Sequence, residues 1–141
     1  HRLSRYCVLA EEIEYVTPSN CISFLNDIIN ISAEANYQCL LKRKRDVGSL
    51  AHPYYRNFIS LLAMKPNVIN LNPGISAYDV IKASSLVISF PFTATAIIAR
   101  ELGKPSCYYD PNNIITKDHI GAHGIPIINN PERLLNWINS Q

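Results

Sequence analysis

The segment Leu86-Val87-Ile88-Ser89-Phe90 runs directly into Pro91-Phe92-Thr93-Ala94-Thr95-Ala96, and the two halves have different patterns. The first half is a continuous run of mostly apolar residues, which is typical of a strand that is buried on both faces of a parallel sheet. The second half begins a helix over residues 93–102, which Gly103 and Pro105 end. A buried strand, a tight turn and a helix in this order indicate an α/β protein.

The same alternation of strand and helix patterns recurs along the whole chain. Apolar runs predict six strands, at residues 6–10, 37–41, 68–71, 86–90, 106–109 and 126–128. Three- and four-residue apolar spacing predicts helices between them, with Thr17, Asn130 and a Ser76/Asp79 capping box at helix starts. We therefore predict one Rossmann-like domain over residues 1–141: a doubly wound parallel sheet of about six strands with helices on both faces.

Composition excludes several classes of protein. The chain has 141 residues, 48% of them hydrophobic, and a net charge of +2, so we expect a globular domain and no nucleic-acid partner. No apolar run is long enough to predict a transmembrane segment, and the four cysteines are far apart, which favours the cytoplasm. Because the chain begins with His1, we expect a fragment of a larger protein.

Ligands of open parallel sheets bind beyond the carboxyl ends of the strands, and three segments of this chain meet that rule. The predicted phosphate-binding turn comprises Ser89, Pro91, Phe92, Thr93, Ala94 and Thr95. Its helix start offers free backbone N–H groups and the positive end of the helix dipole to a diphosphate. The basic residues Lys42, Lys44 and Arg45 follow the second predicted strand, and Asp110 follows the fifth.

Each of these segments also has a simpler interpretation. Thr93 caps a helix whether or not a ligand binds there, and runs of charge are usually solvated surface. His52 is a candidate phosphate neighbour or an ordinary loop histidine, and Asp110 binds a sugar or ribose hydroxyl or starts a turn. His119 and His123 have a metal-like spacing, but Gly121 and Gly124 argue against a helix there, so we expect no metal site.

The turn and the strand after it are similar to a known family. Residues 87–96 with their Pro91-Phe92-Thr93 motif, and residues 102–111 with Gly103-Lys104-Pro105, resemble the bacterial polysaccharide-biosynthesis family named for a Pro-Phe-Thr-Ser motif. Ala94 stands here where the motif has serine. The broader pattern is similar to the nucleotide-sugar-binding half of glycosyltransferase-B enzymes and to nucleotide-sugar 2-epimerases.

The resemblance implies a nucleotide-sugar (donor) binding domain of a metal-independent glycosyltransferase for bacterial surface polysaccharide, such as capsule or lipopolysaccharide. It implies no cofactor, a missing N-terminal acceptor-binding domain, and a place in the cytoplasm at the inner face of the inner membrane, with possible peripheral association of the whole protein. We expect the fragment alone to be inactive. An epimerase, which would need acidic residues such as Asp110 or Glu101, and a non-catalytic binding module are the alternatives.

Overall fold

The computed structural model describes residues 18–42, 53–62, 64–72, 74–115 and 119–141, and helices alternate with parallel strands throughout them. The helices are α1 (Pro18–Glu34), α2 (Pro53–Leu62), α3 (Ala77–Ala83), α4 (Ala94–Glu101) and α5 (Pro131–Asn139), with a short 3-10 helix at Ile120–Ala122. The strands are β1 (Cys39–Leu41), β2 (Val68–Asn70), β3 (Val87–Ser89), β4 (Ser106–Tyr109) and β5 (Ile127–Ile128). The boundary between two compact units falls between Gly74 and Ile75.

The first unit contains a two-stranded parallel sheet and two packed helices. Strands β1 and β2 pair in register from Cys39 opposite Val68 to Leu41 opposite Asn70. Helix α1 packs with α2, and the side-chain amide of Asn67 donates to the carbonyl of Ile29 over 3.1 Å. This bond ties the start of β2 to α1.

The second unit contains a three-stranded parallel sheet in the order β3-β4-β5. Val87 pairs with Ser106, and Tyr108 pairs with both Ser89 and Ile127. Parallel neighbours need a crossover connection, and α4 provides the one between β3 and β4. Tyr108, Tyr109 and Leu134 are completely buried, so this small sheet has a real core.

Helix α4 lies close against this sheet because the residues that face it are small. Ala96 and Ala99 are completely buried; Ala96 packs against Tyr108, and Ala99 packs against Val87. The helix ends where predicted. Gly103 has φ of 72° and donates to the Arg100 carbonyl, while Lys104 donates to that of Ala99, which together form a Schellman motif.

The mixed α/β class, the parallel pairing and five of the six predicted strands are confirmed. The strand predicted at residues 6–10 lies outside the described residues, as does the Thr17 cap. One continuous six-stranded doubly wound sheet is not shown: the described strands form a two-stranded and a three-stranded sheet. The described strands have two to four residues, so most of them are shorter than the apolar runs that predict them.

One of the predicted helix caps is confirmed by the structure and another is wrong. Asn130 caps α5 as predicted: its side-chain oxygen accepts from the Arg133 backbone N–H over 2.9 Å, with Pro131 at the first helical position. Ser76 is at the start of α3, but its side chain makes no capping hydrogen bond, so the predicted Ser76/Asp79 capping box is wrong. Among the described residues, no helix has the length and apolar character that crossing a membrane would require.

Replacing Gly103 with alanine should destabilise the second unit by about 1 kcal/mol, because a Cβ is unfavourable at positive φ. A Cβ at this position would meet no atom within 4 Å, so backbone strain is the whole effect. Gly103→Asn is the matched control, since asparagine tolerates the left-handed region better. Urea denaturation measures both, and an alanine variant as stable as the wild type would contradict the prediction.

Candidate functional site

Side chains at the carboxyl edge of the three-stranded sheet can be assigned to a face of the sheet from their contacts. The Ser106 hydroxyl donates to the Ala96 carbonyl over 3.2 Å, and the Tyr108 hydroxyl donates to the Thr93 carbonyl over 3.2 Å. Both residues of β4 therefore face α4. Because strand side chains alternate, Asp110 lies on the same face as Tyr108, and so does Ser89, which pairs with Tyr108 across the ladder.

Two buried polar atoms on this face have no hydrogen-bond partner among the described residues. They are the hydroxyl oxygen of Ser89, whose residue is 7% exposed, and Oδ1 of Asp110, which is completely buried. The other carboxylate oxygen of Asp110 accepts from the backbone N–H of Ile115 over 2.7 Å. Most buried polar groups are paired, and an unpaired one costs about 1–3 kcal/mol. Two buried polar atoms whose lack of a partner lowers the stability of the fold therefore lie at the ends of neighbouring strands.

The start of α4 lies at the same edge, directly after β3. Thr93 occupies the capping position, but its side chain makes no capping hydrogen bond. Its hydroxyl instead donates back to the Phe90 carbonyl over 3.0 Å. The interpretation of Thr93 as a side-chain cap is therefore wrong. The first-turn N–H groups of a helix have no intrahelical acceptor, and Thr93 supplies none to them here.

The turn between β3 and α4 is strained and carries an exposed aromatic ring. Phe92 has φ of 63°, an unfavourable value for a bulky residue, and its side chain is 39% exposed. Its ring makes an edge contact with Tyr108 at a centroid distance of 5.8 Å. Burial raises the pKa of the Tyr108 phenol, an effect that Arg100 opposes, so this hydroxyl stays a proton donor to Thr93 at neutral pH.

The loop after β4 reaches the same turn through His119. The imidazole of His119 lies 4.7 Å from the Phe92 ring, centroid to centroid, and its Nδ1 accepts from the backbone N–H of Gly121 over 3.0 Å. The Arg100 guanidinium donates to the His123 carbonyl, and Ala122 packs in the cluster that contains Ala96 and Tyr108. Helix α4 and β4 together therefore hold residues 119–123 against the turn.

We call Ser89, Phe92, Thr93, Ala94 and Asp110 the strand-end site. All five were predicted from sequence, and the second unit brings them to one sheet edge. Pro91 is buried beside them, and Thr95 is half-buried in the first turn of α4. Ala96, in the same first turn, is completely buried and packs against Tyr108.

The structure describes one of the three predicted basic residues, Lys42. Lys42 is half-buried and directly follows β1 in the first unit. Lys44, Arg45 and His52 lie outside the described residues. Glu101, the acidic residue considered for an epimerase, is exposed at the far end of α4 and lies 3.9 Å from Arg100.

Sequence reasoning missed Tyr108 and His119. Tyr108 reads as one more apolar strand residue, and His119 was considered only as a metal ligand. In the part of the chain that the structure describes, no three His, Cys, Asp or Glu side chains form a cluster that could hold a metal ion. The length of the loop over residues 110–124 was the available signal, since long loops in compact domains tend to be functional.

Removing the Ser89 hydroxyl should leave stability unchanged or raise it, because that group has no hydrogen-bond partner among the described residues. Ser106→Ala is the matched control: Ser106 is equally buried on the neighbouring strand, but its hydroxyl is bonded to α4. The control should lose about 1 kcal/mol in chemical denaturation. An equal loss for Ser89→Ala would show that its hydroxyl is paired in the folded protein.

Comparison with known proteins places the chain in a family. No curated protein and no solved structure matches it significantly. The sequence profile of the polysaccharide biosynthesis PFTS motif proteins matches residues 2–138, which is nearly the whole chain and includes both units. The chain therefore belongs to the polysaccharide biosynthesis PFTS motif family.

Proposed function

We propose that this chain is the donor-binding domain of a metal-independent glycosyltransferase in bacterial surface polysaccharide biosynthesis, and that the strand-end site binds the nucleotide-sugar. Family membership supports the role in polysaccharide biosynthesis. The observation that carries the finer proposal is the pair of buried, unpaired polar atoms on Ser89 and Asp110, at the edge where α4 begins. Polar groups kept unpaired beside a helix start indicate a ligand that completes them.

The start of α4 suits the phosphates of the donor. Backbone N–H groups in its first turn and the helix dipole both favour an anion. Ala94 is exposed at the first helical position, so no bulky side chain covers the backbone there. The Ser89 hydroxyl can donate to a phosphate oxygen, which would relieve the cost of burying it unpaired.

The carboxylate of Asp110 suits a different part of the ligand. A carboxylate is an acceptor and repels phosphate, so Asp110 pairs with a hydroxyl of the ribose or the sugar. Its other oxygen is fixed by Ile115, which orients the carboxylate before a ligand arrives. Phosphate at the helix start and hydroxyl at Asp110 together match the chemistry of a nucleotide-sugar.

The proposed catalysis is electrostatic. Positive ends of dipoles and cationic side chains stabilise the charge that develops on the departing nucleotide, and such groups contribute about two to three orders of magnitude each. Lys42, Lys44, Arg45 and His52 remain proposed contributors. A Rossmann-like doubly wound sheet, an acceptor-binding domain and a cytoplasmic site at the inner face of the inner membrane are parts of the same proposal.

Calorimetric titration of the chain with UDP, GDP, CDP and CMP, without metal, tests this function. One nucleotide should bind in the micromolar-to-millimolar range. Ala94→Pro should weaken that binding about tenfold or more, because proline removes one N–H donor from the anion site. The helix should survive, since proline suits its first position and Thr93 already has the extended backbone that precedes proline.

Ala77→Pro is the matched control, because it makes the same change at the first position of α3 after an equally extended residue. It should leave nucleotide binding unchanged. Failure of every nucleotide to bind, or equal binding by Ala94→Pro and the wild type, would contradict a donor site at the start of α4.

A further inference from the structure

We infer that His119 is a ligand-binding residue of the strand-end site and that its Nε2–H donates a hydrogen bond to a phosphate oxygen of the donor. This inference rests on the proposed function and adds a residue to it. His119 is outside the sequence motif that defines the site, being 26 residues after Thr93 in the chain.

The position of the imidazole is fixed by its contact with the turn. Its ring lies 4.7 Å from that of Phe92, and Phe92 directly precedes the capping residue of α4. Gly121 lies against both rings: a Cβ there would be 3.1 Å from Nδ1 of His119 and 3.4 Å from Cδ1 of Phe92. A glycine at this position therefore leaves room for the imidazole to pack against the Phe92 ring in the turn before α4.

The hydrogen bond at Nδ1 determines which ring nitrogen can donate. Because Nδ1 accepts the N–H of Gly121, a neutral imidazole carries its proton on Nε2. His119 is exposed, so a ligand can reach its side chain. The histidine thus offers one N–H group next to the turn that leads into α4, and a phosphate oxygen can accept a hydrogen bond from such a group.

The Nε2–H group of His119 is also held in place before any ligand binds. The His119 backbone begins the 3-10 helix, Ala122 in that helix packs in the cluster with Ala96 and Tyr108, and Arg100 binds the His123 carbonyl. A pre-organised donor loses less conformational entropy on binding than a mobile side chain. The strain at Phe92 has a role in the same arrangement, because that backbone conformation presents the ring to the imidazole.

His119→Asn tests the inference, because asparagine keeps a side-chain acceptor for the Gly121 N–H and removes the Nε2 donor. Calorimetry with inorganic pyrophosphate and with the nucleotide that binds the wild type should show at least about tenfold weaker binding, as for loss of a hydrogen bond to a charged group. The matched control is His123→Asn: His123 is exposed at φ of 51°, which asparagine tolerates, and among the described residues its hydrogen bonds are made by its backbone N–H and carbonyl. The control should bind like the wild type.

Imidazole ¹⁵N NMR of the wild type supplies a second readout that does not depend on any variant folding. The free protein should show His119 protonated on Nε2, and saturation with pyrophosphate should shift the Nε2 resonance. Unchanged Nε2 shifts, or equal ligand affinity in His119→Asn and the wild type, would overturn the role of His119 while leaving the donor site intact. A wild type that binds neither pyrophosphate nor any nucleotide would overturn both proposals.

Discussion

The close packing of α4 on the three-stranded sheet is the constraint on which the rest of the second unit depends. Ala96 and Ala99 are completely buried against Tyr108 and Val87, and larger side chains there would push the helix away from the strands. Close packing lets Ser106 and Tyr108 hydrogen-bond directly to the α4 backbone. The start of the helix is thereby held at the edge where β3 and β4 end.

That placement gives the turn before α4 its unusual properties. The chain must pass from the end of β3 to the helix start within a few residues, and Phe92 adopts a positive φ on the way. Ring contacts with Tyr108 and His119 offset part of the strain. Thr93 bonds backwards to Phe90, so the turn is stabilised internally while the first turn of the helix gains no side-chain cap. Backbone strain of the kind seen at Phe92 is found often at functional sites.

The strand-end site combines groups with opposite preferences. The helix start favours an anion, while the nearby Asp110 carboxylate disfavours one and accepts hydroxyl donors. Both preferences are met by a ligand with phosphate at one end and hydroxyl groups at the other. In the proposed function, such a ligand pairs the buried oxygens of Asp110 and Ser89 that have no hydrogen-bond partner among the described residues.

Hydrophobic periodicity predicted the α/β class and five strands, and Gly103 and Asn130 predicted the end of α4 and the start of α5, because these signals act locally. The Pro-Phe-Thr motif located the turn and the helix start that follow β3, and the ligand-binding role of that turn stays a prediction. The sequence did not predict which strands pair in which sheet. It also did not predict that the Thr93 hydroxyl donates to the Phe90 carbonyl and does not cap α4. The sequence also contains no signal that His119 contacts Phe92 or that Ala96 packs against Tyr108. Sheet membership and the contacts of His119 and Ala96 depend on which distant segment packs against them, which no local pattern encodes. The bond from Thr93 to Phe90 depends on the backbone path of the turn, which follows from how α4 packs on the sheet.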